Sequence, residues 1–166
     1  MVEMLIVILC VIMVFGAIDI FYSVKNYTEC VVERCGKFLT VRSAGSYIKL
    51  PFIDKVVATV DMSNQRLEIK KEPVISADNI TLYMNFDILF RVHDTKTFVY
   101  SATNPKSALE VLVITIARNI VGHFDSGQME AQIQLITRQI QDTLEEAAYS
   151  YGVTIEQVSL TISQIS

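Results

Sequence analysis

Hydrophobic and polar positions divide the chain into three regimes. Residues 4–18 are apolar with no charge and no proline. From Tyr27 to Asp61 apolar residues come in short bursts separated by turn formers. After residue 79 a long alternating stretch gives way to segments with apolar residues every three or four positions.

The first regime consists of Met4, Leu5, Ile6, Val7, Ile8, Leu9, Cys10, Val11, Ile12, Met13, Val14, Phe15, Gly16, Ala17 and Ile18, and resumes beyond Asp19 with Ile20, Phe21 and Tyr22. As a helix, Met4 to Ile18 would be about 22 Å long at 1.5 Å per residue. Carried on to Tyr22 it reaches about 28 Å, close to the roughly 30 Å hydrocarbon thickness of a bilayer. Asp19 then falls one turn from the end, within reach of headgroup water, and Ile20, Phe21 and Tyr22 serve as interfacial anchors.

A cleaved secretory signal would carry a basic leader and small residues at its cleavage site. Here Glu3 is the first charge, and Phe15 occupies the position two before Ala17. A buried core helix is the other alternative, but every face of the run is apolar and a small domain offers little chance to cover all its sides. Residues 1–22 are therefore expected to be an uncleaved, single-pass anchor. Lys25, Arg34, Lys37 and Arg42 follow the span and no lysine or arginine precedes it, which places the body on the cytoplasmic side of a bacterial cell membrane or its equivalent.

The second regime predicts strands over Glu29–Cys35, Tyr47–Leu50 and Lys55–Met62, with a break at Gly36, a turn at Ser43–Gly45 and a strand edge or corner at Pro51. In the third, Ile80, Leu82, Met84, Phe86, Ile88, Phe90 and Val92 alternate with Thr81, Tyr83, Asn85, Asp87 and Arg91. Seven matches at period two predict a long strand buried on one face, with Leu89 the exception. Ser63-Asn64 and Asp78-Asn79 supply turn chemistry.

Helices follow. Asp94 can cap Thr95–Ala102, and Asn104-Pro105 can open Lys106–Val121, an apolar core helix ending at Gly122. Asp125 with Gln128 reads as a capping box for a third helix bearing Met129, Ile133, Ile136, Ile140 and Leu144 and closed by Gly152. Val153–Ile162 returns to strand, with a phase break at Glu156-Gln157 that reads as a bulge. The fold class is α+β behind a transmembrane helix.

Composition narrows the function classes. The 166 residues carry 14 Lys plus Arg against 18 Asp plus Glu, a formal charge of −4, which argues against a nucleic-acid partner. Hydrophobic residues are 51% of the chain, and without the leading run roughly 47% remains, ordinary for a soluble domain. Disorder, a collagen-like chain and a multi-span transporter are excluded.

Candidate chemistry is sparse. Cys30 and Cys35 have no second Cys or His pair with zinc spacing. A disulfide would need them to be strand neighbours, and two thiols in a reducing compartment is the favoured reading. His93 and His123 each flank a helix boundary and read as surface or capping residues. No nucleophile elbow, zinc-helix motif or phosphate loop is present, and Glu145-Glu146 diverge on their helix. No residue is nominated for catalysis, a cofactor or a metal. Tyr47, Ile48, Lys49, Leu50, Pro51, Phe52 and Ile53 form a candidate membrane-surface contact, since aromatic rings and a snorkelling lysine suit the headgroup region; an ordinary core strand and turn is the alternative.

Several segments resemble the stomatin, prohibitin and flotillin superfamily (the SPFH or band-seven domain), nearest to bacterial stomatin-like members. Val31-Val-Glu-Arg-Cys-Gly-Lys37 resembles its V-V-E-R-x-G-K/R opening, and Gly45-Ser-Tyr-Ile-Lys-Leu-Pro-Phe-Ile-Asp-Lys-Val56 its G-x-x-x-x-x-P-F-I-D-x-V continuation. Pro73-Val-Ile-Ser-Ala-Asp-Asn79, the Phe90-Arg-Val92 strand end, Ile116-Ala-Arg-Asn-Ile-Val-Gly122 and Tyr151-Gly-Val153 are similar to later motifs in the same order. Ala44 stands where the family usually has proline.

The resemblance implies a β-rich, membrane-proximal first subdomain (23–77) and a strand-helix-helix-strand second one (78–166). It implies a non-enzymatic scaffold that organises membrane microdomains and regulates partners such as an AAA-type membrane protease or an ion channel. Homo-oligomers in the family are built by a long helix after the last strand, and this sequence stops at Ser166, ahead of such a helix. Two other classes are kept in view: a membrane-tethered serine hydrolase whose serine meets a lysine or histidine only in the fold, and a lipid- or sterol-binding module.

Overall fold

A computed structural model describes Glu3, Met4, Ile6, Val7, residues 21–48, Leu50 and residues 53–165. Glu3, Met4, Ile6 and Val7 are helical, while Leu5 and the rest of the expected anchor from Ile8 to Ile20 lie outside the described residues. Among the described residues no helix is long and apolar enough to cross a membrane. Phe21 and Tyr22, expected in the last turn of the anchor, instead open strand β1 (Phe21–Val24). The chain divides into two compact units, residues 1–61 and 62–166.

From Phe21 onward the regular elements described in the first unit are all strands. After β1 come β2 (Thr28–Arg34), β3 (Lys37–Arg42), β4 (Gly45–Ile48) and β5 (Asp54–Asp61). β1 pairs antiparallel with β4, placing Phe21 opposite Ile48 and Tyr22 opposite Tyr47. That ladder satisfies backbone groups the expected helix would have bonded internally, and the Tyr22–Tyr47 pair adds to it, which is why the two residues are strand and not helix. The other sheet has the order β3-β2-β5, with Cys30, Val31 and Val32 of the central strand buried. A two-residue turn, Cys35-Gly36, joins β2 to β3 with both residues at positive φ (50° and 76°), the geometry of a type I′ hairpin.

The second unit is one antiparallel sheet with helices packed on one face. Its strands are β6 (Gln65–Ile75), β7 (Thr81–Val92) and β8 (Val153–Ile165), in the order β6-β7-β8. Three helices run between β7 and β8: α1 (Thr95–Ser101), α2 (Pro105–Val121) and α3 (Ser126–Tyr149). The alternation expected in β7 is realised, since Leu82, Met84, Phe86, Ile88, Phe90 and Val92 are all buried. Against them pack Leu109, Val113 and Ile116 of α2 and Met129, Ile136, Ile140 and Leu144 of α3. Each large side chain fully withdrawn from water contributes on the order of 1.5–3 kcal/mol, so this layer dominates the unit's stability.

Strand β6 is absent from the sequence expectation, which left 65–77 in the first subdomain. It pairs with β7 throughout, so the division falls at Asp61/Met62 and not after residue 77. A bulge conceals it: Ile69 pairs with Phe86 and Glu72 with Met84, so Lys70 and Lys71 together face Asn85. Lys71 takes a φ of 54° and its N–H donates to Asn85 Oδ1 at 2.9 Å, replacing the lost ladder bond. The inserted residue shifts the apolar phase halfway along, and Pro73 is tolerated because the strand is an edge. In β8 the expected bulge is present, with Leu89 opposite Gln157 and Phe90 opposite Ile155, leaving Glu156 over.

Caps explain the helix boundaries. Asp94 accepts from the N–H groups of Lys96 and Thr97 (3.0 and 3.2 Å), and Asn104 from Ser107 N–H at 3.4 Å with Pro105 in the first turn. The expected capping box at Asp125 is not formed, because Asp125 makes no side-chain cap bond. Asp78 caps α3 instead, accepting from the Ser126 N–H at 3.2 Å and from its hydroxyl.

Candidate functional site

The segment singled out from sequence, 47–53, sits at the end of β4 and in the loop to β5. Tyr47 and Ile48 belong to β4, and Leu50 and Ile53 lie in the loop. Lys49, Pro51 and Phe52 are outside the described residues. Ile48, Leu50 and Ile53 are 68%, 48% and 43% exposed.

An ion pair holds this loop. Arg34, the last residue of β2, donates from Nε and Nη2 to the two carboxylate oxygens of Asp54 at 2.7 and 3.0 Å. The Asp54 carboxylate also accepts from the Leu50 N–H at 3.0 Å, and its own N–H donates to the Leu50 carbonyl at 3.0 Å. The Cys35 N–H donates to the Ile53 carbonyl at 3.1 Å, tying the loop to the β2–β3 turn. With only 5% of its side chain accessible, Asp54 is a nearly covered carboxylate, and the Arg34 guanidinium followed by the Leu50 N–H pulls its pKa down to about 2. The two sequence motifs V-V-E-R and P-F-I-D are thus halves of one contact.

Above the loop, the Tyr22 and Tyr47 rings lie 5.8 Å apart, centre to centre. The Arg42 guanidinium stands 4.9 Å over the Tyr47 ring. Neither Arg34, Asp54 nor Arg42 was selected as a site residue from sequence. The available signal was an arginine and an aspartate in two motifs twenty positions apart, which pattern reading along the chain does not connect.

The remaining candidates are structural. His93 stacks on Tyr149 at 4.6 Å and its Nδ1 is 3.2 Å from the Thr154 hydroxyl, while His123 Nδ1 is 2.6 Å from the Asn119 carbonyl; a serine is the partner in none of these contacts. The buried Ser76 hydroxyl lies within hydrogen-bond reach of the Asp78 carboxylate and of the Ile80 carbonyl, and it accepts from the Ile80 N–H at 3.2 Å. Cys30 is a buried thiol and Cys35 an exposed one. Among the described residues no group of His, Cys, Asp and Glu could hold a metal ion. In the second unit a cavity of about 470 Å³ is lined by Pro73, Ile75, Thr81 and Arg118, with Arg118 engaged by Glu72 at 2.6 Å.

A β-rich unit that follows an apolar leader, then a sheet-and-helix unit, with ion-paired motifs fixing an aliphatic loop in the first, defines a class of two-part α+β bodies. The sequence profile of the SPFH domain / Band 7 family matches residues 22–166, and the chain belongs to that family. An uncharacterized protein of Methanothermobacter thermautotrophicus is 28% identical, covering 95% of this chain and 48% of its own length. An uncharacterized protein of Mycobacterium tuberculosis is 31% identical over 93% of this chain and 41% of its own, and mouse stomatin is 27% identical over 82% and 49%. The chain spans about half the length, or somewhat less, of these curated relatives. Stomatin-like members of the family are generally non-enzymatic and typically membrane-associated.

Proposed function

We propose that this protein is a membrane-anchored, non-catalytic scaffold: the leading apolar run enters the bilayer, the first unit rests on the cytoplasmic surface, and the body associates laterally to organise a membrane patch and restrain membrane-protein partners such as proteases or channels. One observation carries the membrane part of this reading. The apolar run leads directly into β1, whose first residue pairs with Ile48, so the exposed aliphatic side chains of Ile48, Leu50 and Ile53 are gathered where the run ends. Exposed aliphatics beside a hydrophobic leader are costly in water and favourable at a lipid interface.

The scaffold part rests on family membership, and the proposed partners come from it rather than from a site. Orientation is testable through Cys35, the exposed thiol of the first unit. In a Cys10→Ala variant, a membrane-impermeant maleimide is expected to label Cys35 in inverted vesicles and to leave it unlabelled in right-side-out ones. Labelling only from the outer face would overturn the assigned orientation.

A further inference from the structure

We propose that Arg42 binds lipid phosphate, so that the membrane-contact edge of the first unit selects anionic phospholipids over zwitterionic ones. This rests on the membrane-anchored reading and adds the headgroup class to it.

Charge supplies the first argument. The formal charge of −4 lies entirely beyond residue 61, because residues 1–61 carry six basic and six acidic side chains. Within that neutral part the two arginines are treated differently. Arg34 is neutralised by the bidentate contact with Asp54, whereas Arg42 makes no direct ion pair among the described residues and feels the same carboxylate only at longer range. A guanidinium with no carboxylate in direct contact keeps its N–H donors for an anion, and beside a low-dielectric surface it attracts anions from the interface.

Geometry supplies the second. The cation–π contact with the Tyr47 ring at 4.9 Å holds the guanidinium without using its N–H donors, which are left for a two-pronged contact with phosphate oxygens. Tyr47 precedes Ile48 in β4, so the ring beneath the cation is the strand neighbour of the exposed aliphatic position, with its side chain on the opposite face of the ladder. Tyr22, likewise, is one residue further from the apolar run than Phe21.

The chain has no tryptophan, so Leu50→Trp places a single emitter in the loop. The full chain carrying it is reconstituted in mixed phosphatidylcholine–phosphatidylglycerol nanodiscs in which one lipid or the other bears brominated chains. Quenching is expected from both, with brominated phosphatidylglycerol favoured per mole by about five-fold, the effect of one basic side chain at an anionic surface. Adding Arg42→Gln should equalise the two while leaving quenching by phosphatidylcholine intact, and Arg42→Lys should keep part of the preference. Equal quenching in the parent, or a preference unchanged by Arg42→Gln, would overturn the proposal. Absence of quenching by either lipid would overturn the contact itself, and with it the membrane-surface reading on which the proposal stands.

Discussion

At the residue scale, Asp54 concentrates the most consequence in one side chain, since it binds Arg34 and closes the loop that presents Leu50. Its folded pKa of about 2 lies below the ordinary carboxylate value. A depressed carboxylate stabilises the fold at pH values above its unfolded pKa, and that contribution drains as pH falls from about 4 through about 2. Hydrogen exchange of the Leu50 amide is therefore expected to quicken across that window, measured against amides of β2, and Asp54→Ala should give fast exchange already at neutral pH. Unchanged protection in Asp54→Ala would remove the carboxylate from its proposed role. Gly152 is the second such residue. Its φ is +75°, and an added Cβ would stand 2.5 Å from the Asp94 carbonyl oxygen and 3.0 Å from the Phe98 nitrogen, both backbone atoms. Gly152→Ala is expected to lower unfolding stability by about 1–3 kcal/mol or more in urea titration, from the left-handed backbone and the clash together. In the sequence, Gly152 was legible as a helix stop; that the Asp94 cap packs onto it was not, because Asp94 is 58 positions away.

At the element scale, legibility tracked how simply each element is buried. β7 could be read residue by residue because one face meets helices and the other does not, leaving an unbroken period of two. β6 could not, because the Lys70-Lys71 bulge divides its apolar positions into two phases. β1 was masked by composition, as Phe21 and Tyr22 suit a membrane-interface helix and a strand equally well until β4 is known to lie beside it. Helix α3 gives the sharpest contrast, since its extent was read correctly and its cap was assigned to the wrong aspartate. The Asp78 carboxyl is held down to about 2 by the Ser126 and Ser76 hydroxyls, whereas Asp125 makes no side-chain cap bond. Asp78→Asn is expected to lower the melting temperature and Asp125→Asn to leave it in place, read by circular dichroism. The reverse order would restore the capping box that sequence suggested.

At the scale of the whole molecule, family membership was legible because several motifs occur in the family's order along most of the chain, and the family profile matches residues 22–166. The contacts that give those motifs meaning were not, since Arg34–Asp54 and Asp78–Ser126 join positions 20 and 48 apart. Self-association remains a proposal about a chain that spans roughly half of its longer relatives. Anchoring by the leading run is what the orientation, the lipid-facing loop and the Arg42 contact all presuppose. The most direct test is alkaline carbonate extraction of membranes from cells making the full chain, followed by ultracentrifugation. The protein is expected in the membrane pellet with integral markers; its complete recovery in the supernatant would contradict the account.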